Sequence, residues 1–197
     1  ETASVRHAAR VLSCDISDAA EAVHLLRSSP SVQGVLHAAG LLHDRLVRAM
    51  SNAELELVAS AKATAASSLH HALLQVSLDA FVMYSSVSSA LGNLGQANYA
   101  SSNTYLDSLA ACTRQSARVA RSVQWPMVTG AGMGQATHDA LGAGRGADIG
   151  LGALDLDQYA AALHSVLGAQ PTVGLLVAAI MSGSPFAEVD PQRAPPF

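Results

Sequence analysis

Between Phe81 and Asp107 the chain reads FVMYSSVSSALGNLGQANYASSNTYLD, and three of its side chains could do acid–base chemistry together. Ser86 carries a hydroxyl that can donate to an oxygen on which negative charge builds. Tyr99, thirteen positions on, carries a phenol that can act as a general acid. Asn103 follows four residues later, on the same helical face as Tyr99. A free phenol, with a pKa of about 10, is a sluggish acid at neutral pH. A neighbouring ammonium lowers that value. The chain has ten arginines and a single lysine, Lys62, so Lys62 is the one lysine available for the task.

The elements that must hold these groups are legible around them. Phe81 to Tyr84 is a short apolar run of strand type, stopping at Ser85 and Ser86. A loop with Gly92 and Gly95 follows, then a helix from Ala97 to Cys112. In an open α/β sheet ligands sit off the carboxyl ends of the strands. Ser86 is then at the mouth of a cleft, and Tyr99 lies one turn into the bordering helix. Ser51 to Val76 reads as a long helix opening on a capping box, Ser51-Asn52-Ala53-Glu54, with Lys62 about midway. A lysine among Ala, Ser and Thr could also snorkel to water.

The setting YSSxxxxxGxxGQANYxxxN resembles the short-chain dehydrogenase/reductases. Within them it is most similar to the ketoreductase (KR) domain of modular type I polyketide synthases. Most of that superfamily carries Lys four residues after the Tyr, where this chain has Asn103; the ketoreductases place the Lys on the preceding long helix, where this chain has Lys62. The resemblance runs from about Val11 to Val177. It implies an α/β fold with a doubly wound parallel, Rossmann-like sheet, N-terminally incomplete. It implies NADPH-dependent reduction of a β-ketoacyl group on an acyl carrier protein, next to other polyketide synthase domains. Tyr99 then supplies the proton, Ser86 orients the carbonyl, and Lys62 lowers the phenol pKa and touches the nicotinamide ribose. Asn103 positions Lys62 and a relay water.

Further residues follow from the same resemblance. Ala9 to Cys14 reads as the family's third strand, and Asp15, with Ile16 beside it, matches the adenine contact at its end. Ser17 or Asp18 can cap a helix from Ala19 to Arg27. Ser31 to Ala39 is the next strand, and the small residues Ala38, Ala39 and Gly40 let the backbone approach the cofactor. His37 reads as a strand-end histidine with a satisfied hydrogen bond rather than an acid or base. Leu42-His43-Asp44 keeps the last Asp of a Leu-Asp-Asp motif linked to one face of hydride delivery. Asp44 could equally be a carboxylate favoured at a helix start. Leu91 stands where the opposite facial type carries Trp; Asp44, Leu91 and Gln96 are the stereocontrol set, and B-type product configuration is expected.

Downstream, Arg118 to Trp125 reads as a strand, but Pro126 replaces the family's Trp-Gly-Pro-like turn. Thr129 to Gly134 resembles a turn into a lid. Gly142 to Gly152, with five glycines, suits a flap over substrate or a surface loop. Leu156 to Leu167 reads as a helix, Thr172 to Ile180 as a buried strand, and Pro185 to Phe197, with four prolines, as a linker or tail after a catalytic portion spanning 1–184.

Composition bounds the rest. Half of the 197 residues are apolar and 13% are charged, which suits one folded domain. A net charge of −4 with scattered arginines leaves no basic face for nucleic acid. No apolar run is long enough to cross a bilayer. Cys14 and Cys112 have no metal-type spacing and read as reduced thiols in a cytoplasmic protein. His70 and His71 are adjacent and cannot form an i, i+4 pair, so no metal is expected. No G-x-G-x-x-G turn precedes Ala9. The expectation is that two strand–helix units are supplied elsewhere, leaving the first strand without a neighbour and the strand at His37 with a bare edge. A degenerate, non-reducing scaffold is the rival reading, favoured by the absent glycine turn and Pro126. A freestanding carrier-protein reductase is a third, opposed by Asn103.

Overall fold

The computed structural model describes residues 11–29, 31–133 and 153–168, with the backbone of Leu176–Val177. Four parallel strands form one sheet in sequence order: β1 (Gly34–His37), β2 (Ala80–Ser86), β3 (Arg121–Trp125) and β4 (Leu176–Val177). The register sets His37 beside Met83, and Ser86 beside Trp125.

Alternation along β2 explains why both faces are covered, since successive side chains point to opposite sides. Phe81 and Met83 enter a core with Ala66, Leu69, Leu73, Leu106, Ala110 and Ala120. Those partners come from α3 (Ala65–Ala72), the turn after it, α5 (Ala97–Gln115) and the approach to β3. Val82 enters a second core with Val123, Trp125, Leu154 and Val166, the last from α6 (Leu156–Gly168), and Tyr84 packs against it. Fully burying such side chains stabilises by roughly 1.5–3 kcal/mol each. Helices on both faces of a parallel sheet are the doubly wound arrangement.

Local signals set several boundaries. Asp18 caps α1 (Ala19–Arg27), accepting from the N–H groups of Ala20 and Glu21. Ser51 and Glu54 form the capping box of α2 (Asn52–Ala59). Beyond α2 the rod does not continue as one regular helix. Ser60–Thr64 is a π-helical turn with Lys62 at its centre, and α3 resumes at Ala65. A further short helix, α4 (Ser88–Leu91), fills part of the stretch read as loop.

Other expectations shift. Strand β2 runs through Ser86 because Ser85 and Ser86 pair with Gln124 and Trp125. The segment read as a strand over Ala9–Cys14 is not one in its described part, Val11 to Cys14. It has no sheet partner among the described residues, and Val11 is 96% exposed. Strand β1 is shorter than expected, lies at an edge of the described sheet, and leaves Leu36 exposed. Strand β3 starts at Arg121 and ends at Trp125, before Pro126, which has no N–H for a ladder. The chain then pairs differently: Leu154 N–H donates to Met127 and Thr129 N–H to Leu154, both at 2.8 Å. The expected flap over 142–152, most of the strand over 172–180, and the tail lie outside the described residues. No described helix is long and apolar enough to cross a membrane.

Candidate active site

Three elements meet at the carboxyl ends of β1 and β2. Strand β2 delivers Ser86, the π turn delivers Lys62, and the first turn of α5 delivers Tyr99. Lys62 is almost wholly buried, at 2% exposure. Its Nζ donates to the Tyr84 carbonyl at 2.7 Å and stands 5.2 Å from the centre of the Tyr99 ring, a cation–π separation. Burial pulls the Lys62 pKa down from 10.5 to about 8, with the Asp107 carboxylate opposing. Gly40 closes over the aliphatic stem: a Cβ there would lie 2.9 Å from Lys62 Cε.

Burial raises the Tyr99 phenol above its ordinary value, while hydrogen bonding from Asn103 and Ser86 pulls the other way. The sequence predicts a phenol lowered by Lys62. The ammonium instead faces the ring and bonds a carbonyl, so desolvation dominates. Asn103 is fully buried; its Nδ2 donates to the Tyr99 carbonyl at 2.9 Å, and its Oδ1 has no hydrogen-bond partner. No bond joins Asn103 to Lys62, contrary to expectation; Asn103 instead secures the turn of helix that carries Tyr99. Ser86 is half-buried, and its Oγ accepts from the Ser88 N–H at 3.2 Å, which ties it to the start of α4.

Two of the residues expected to control stereochemistry are joined directly. Gln96 Nε2 donates to Asp44 Oδ2 at 3.0 Å. Gly95, at a φ of +80°, lets its carbonyl accept from Arg45 N–H at 2.8 Å. Asn98 Nδ2 donates to the His43 carbonyl at 2.9 Å. His43 and Arg45 both reach Glu54, at 2.9 and 2.7 Å, and the Ser51 N–H is the largest cause of a Glu54 pKa of about 2. The 43–45 segment is thereby fastened to α2 and to the approach of α5. Leu91, at the end of α4, is 60% exposed.

The residues expected to meet a dinucleotide divide. Ala38, Ala39 and Gly40 follow β1 directly, Gly40 beside Lys62. Asp15 is exposed and engaged locally, its Oδ1 accepting from Ser17 N–H and Oγ at 2.9 and 2.7 Å; Ile16 packs on the first core. Among the described residues no cluster of His, Cys, Asp or Glu could hold a metal.

One side chain that acts on Lys62 is not singled out by the sequence. Asp107 lies eight residues after Tyr99 and four after Asn103, on one face of α5. It accepts from Ser89 Oγ at 2.7 Å, Ser122 Oγ at 2.5 Å and Gln124 Nε2 at 2.8 Å. It thus joins α4, α5 and β3 beneath the site. The i, i+4, i+8 spacing was the signal that could have found it.

Known proteins carry the same pattern. The family model for the KR domain matches residues 2–130. The chain is 35% identical over 169 residues to the spectinabilin polyketide synthase system protein NorB of Streptomyces orinoci, covering 84% of this chain and 8% of that protein. It is 35% identical over 192 residues to polyketide synthase GfsB of Streptomyces halstedii, covering 94% of this chain and 3% of that one. The chain therefore spans a small fraction of these relatives. Among solved structures, the first ketoreductase of the tylosin polyketide synthase matches with a TM-score of 0.68 and 32% identity over 84% of this chain and 35% of that one. An A1-type ketoreductase matches at 0.76 and 30%, over 85% and 35%. With the family model spanning Asp15, Lys62, Ser86, Tyr99 and Asn103, this chain belongs to the KR domain family of polyketide synthases.

Proposed function

We propose that this chain is the catalytic portion of an NADPH-dependent ketoreductase that reduces a β-ketoacyl group, carried by an acyl carrier protein, to a β-hydroxyacyl group. The observation that carries the reading is the convergence of Lys62, Ser86 and Tyr99 at the end of one strand. Reduction of a ketone needs a proton for the developing alkoxide and donors that hold the oxygen while charge builds. Tyr99 supplies the proton, and Ser86 donates to the carbonyl oxygen. Lys62 brings positive charge to a buried wall, where it counts for more than in water. Asn103 fixes the turn bearing Tyr99, and its unmet Oδ1 is a ready acceptor for a relay water.

The residues fit the reactive end of a nicotinamide dinucleotide. Lys62 and Tyr99 would hold its ribose, and Ala38, Ala39 and Gly40 would admit its ring, with Asp15 and Ile16 toward the adenine. The dinucleotide would supply the hydride. The 197 residues contain no G-x-G-x-x-G turn for its pyrophosphate, so binding by this chain alone is weak. The size of the relatives supports neighbouring synthase domains as partners.

Asp44, Gln96 and Leu91 support B-type facial selectivity: Gln96 holds the Asp44 carboxylate, and no Trp occupies position 91. The test joins the chain to a strand–glycine-turn–helix unit and measures NADPH and NADH oxidation with a decalone, followed by chiral analysis of the alcohol. Turnover with NADPH and a single product hand of B-type supports the reading. Absence of turnover contradicts the enzyme, and the opposite hand contradicts the stereochemical part alone.

A further inference from the structure

His37 is the last residue of β1 and is 2% exposed. Its Nε2 lies 3.0 Å from the Lys62 carbonyl, and its Nδ1 has no partner. A carbonyl oxygen only accepts, so Nε2 carries the hydrogen and donates. Burial most of all, and the Lys62 charge, disfavour a second proton on the ring, against the hydrogen bond to the Lys62 carbonyl. His37 is thus a strand-end histidine with one satisfied hydrogen bond, and its second ring nitrogen is unpartnered.

The position of that bond matters more than its count. Lys62 is central in Ser60–Thr64, the only π turn among the described residues. Such turns recur at functional sites, and a side chain that bonds into the helical ladder is a separate known source of helix irregularity. The Lys62 carbonyl also accepts from the Ala65 N–H, so the imidazole is an added donor within the widened turn. A π turn changes the helical phase of everything after it. Closing it to a regular turn would rotate Lys62 relative to either α2 or α3.

Both ends of Lys62 are therefore gripped by adjacent strands. Strand β1 holds its carbonyl through His37, and strand β2 holds its ammonium through the Tyr84 carbonyl. His37 pairs in register with Met83, the residue before Tyr84, so the two grips are neighbours in the sheet. We infer that His37 is a positioning residue: by donating Nε2–H to the Lys62 carbonyl it holds the π turn open and fixes the ammonium over Tyr99. The inference rests on the ketoreductase reading for its consequence in turnover, but not for its geometry.

Because Lys62 is the sole lysine, isotope-labelled lysine gives one side-chain NMR signal in the full chain, and its titration reports the burial of that ammonium directly. The titratable groups that act on it among the described residues are His37 from β1 and Tyr99 and Asp107 from α5. His37→Gln and His37→Asn are both neutral amides. Gln places its N–H near Nε2, whereas Asn places it near Nδ1.

The expected result is a Lys62 midpoint near 8 in the unmodified chain, kept in His37→Gln, and raised by about one unit or more in His37→Asn. Cooperative unfolding of each variant by circular dichroism shows that the shift belongs to a folded chain. In the same glycine-unit fusion used for turnover, kcat falls about tenfold or more in His37→Asn with little change in KM, and His37→Gln restores it within about threefold. An unmoved midpoint in folded His37→Asn overturns the inference. If His37→Asn does not fold, His37→Gln decides it alone: a folded Gln variant with a shifted midpoint overturns it, and a retained one supports it. Failure of the ketoreductase reading shows separately, as no turnover in the unmodified fusion while the NMR midpoints keep their pattern.

Discussion

The ammonium of Lys62 stands over the face of the Tyr99 ring, 5.2 Å from its centroid, while its hydrogen bond goes to the Tyr84 carbonyl. Burial then moves the two groups in opposite senses, the phenol up and the ammonium down to about 8. Tyr99 stays protonated, and so competent as an acid, throughout the neutral range. Lys62 is the group that titrates there.

The pH dependence follows with its sign. In the folded chain Lys62 loses its proton at about 8, against 10.5 for an ordinary lysine. Reductive turnover is expected to fall as pH rises through about 8, where the charge beside Tyr99 is lost. Stability runs the other way: between these two values the unfolded chain holds the extra proton, so unfolding free energy rises with pH across that window. A pH series of kcat/KM beside urea melts checks both slopes.

Lys62→Met should therefore trade function for stability. It removes a charge that is costly to bury, at the loss of one hydrogen bond to Tyr84. Turnover is expected to fall at least ~10²-fold, while stability at pH 7 rises by about 2 kcal/mol. A lower urea midpoint in the variant would show that Lys62 is not held in a costly state.

Gly40→Ala tests the packing around the lysine. The added Cβ would meet Lys62 Cε at 2.9 Å and Nζ at 3.4 Å, so the lysine side chain must shift from its place over the Tyr99 ring. Turnover is expected to fall about tenfold or more with the fold retained. Unchanged kinetics would mean that the ammonium position is not critical.

Asp107→Ala strands three donors, from Ser89, Ser122 and Gln124. The expected cost is ~2–4 kcal/mol in chemical denaturation, and Asp107→Asn, which keeps one acceptor oxygen, should lose less. Equal losses would argue that the network contributes little.

The sequence announced those features whose causes are local. Asp18 before α1 and the Ser51–Glu54 box before α2 are nearest-neighbour hydrogen bonds, so residue type and spacing were enough. Tyr99 and Asn103 were legible because helical periodicity sets them on one face. The π turn at Lys62 was not, because nothing in SAKAT demands it; the imidazole that inserts there comes from 25 residues earlier. The fate of Val11–Cys14 was misread for a similar reason. Strand type is a local property, but strand formation needs a partner, and these residues have none among the described residues. The direction of the Tyr99 shift was also misjudged, because burial is set by packing and not by the nearest charge.

The central claim is that the Tyr99 hydroxyl delivers the proton. The measurement that tests it most directly is NADPH-linked ketone reduction by Tyr99→Phe in the chain fused to a glycine-turn unit, with dinucleotide affinity and urea midpoint measured on the same sample. The account predicts a fall in kcat of at least ~10²-fold with affinity and stability kept. Turnover within about twofold of the unmodified chain would contradict it.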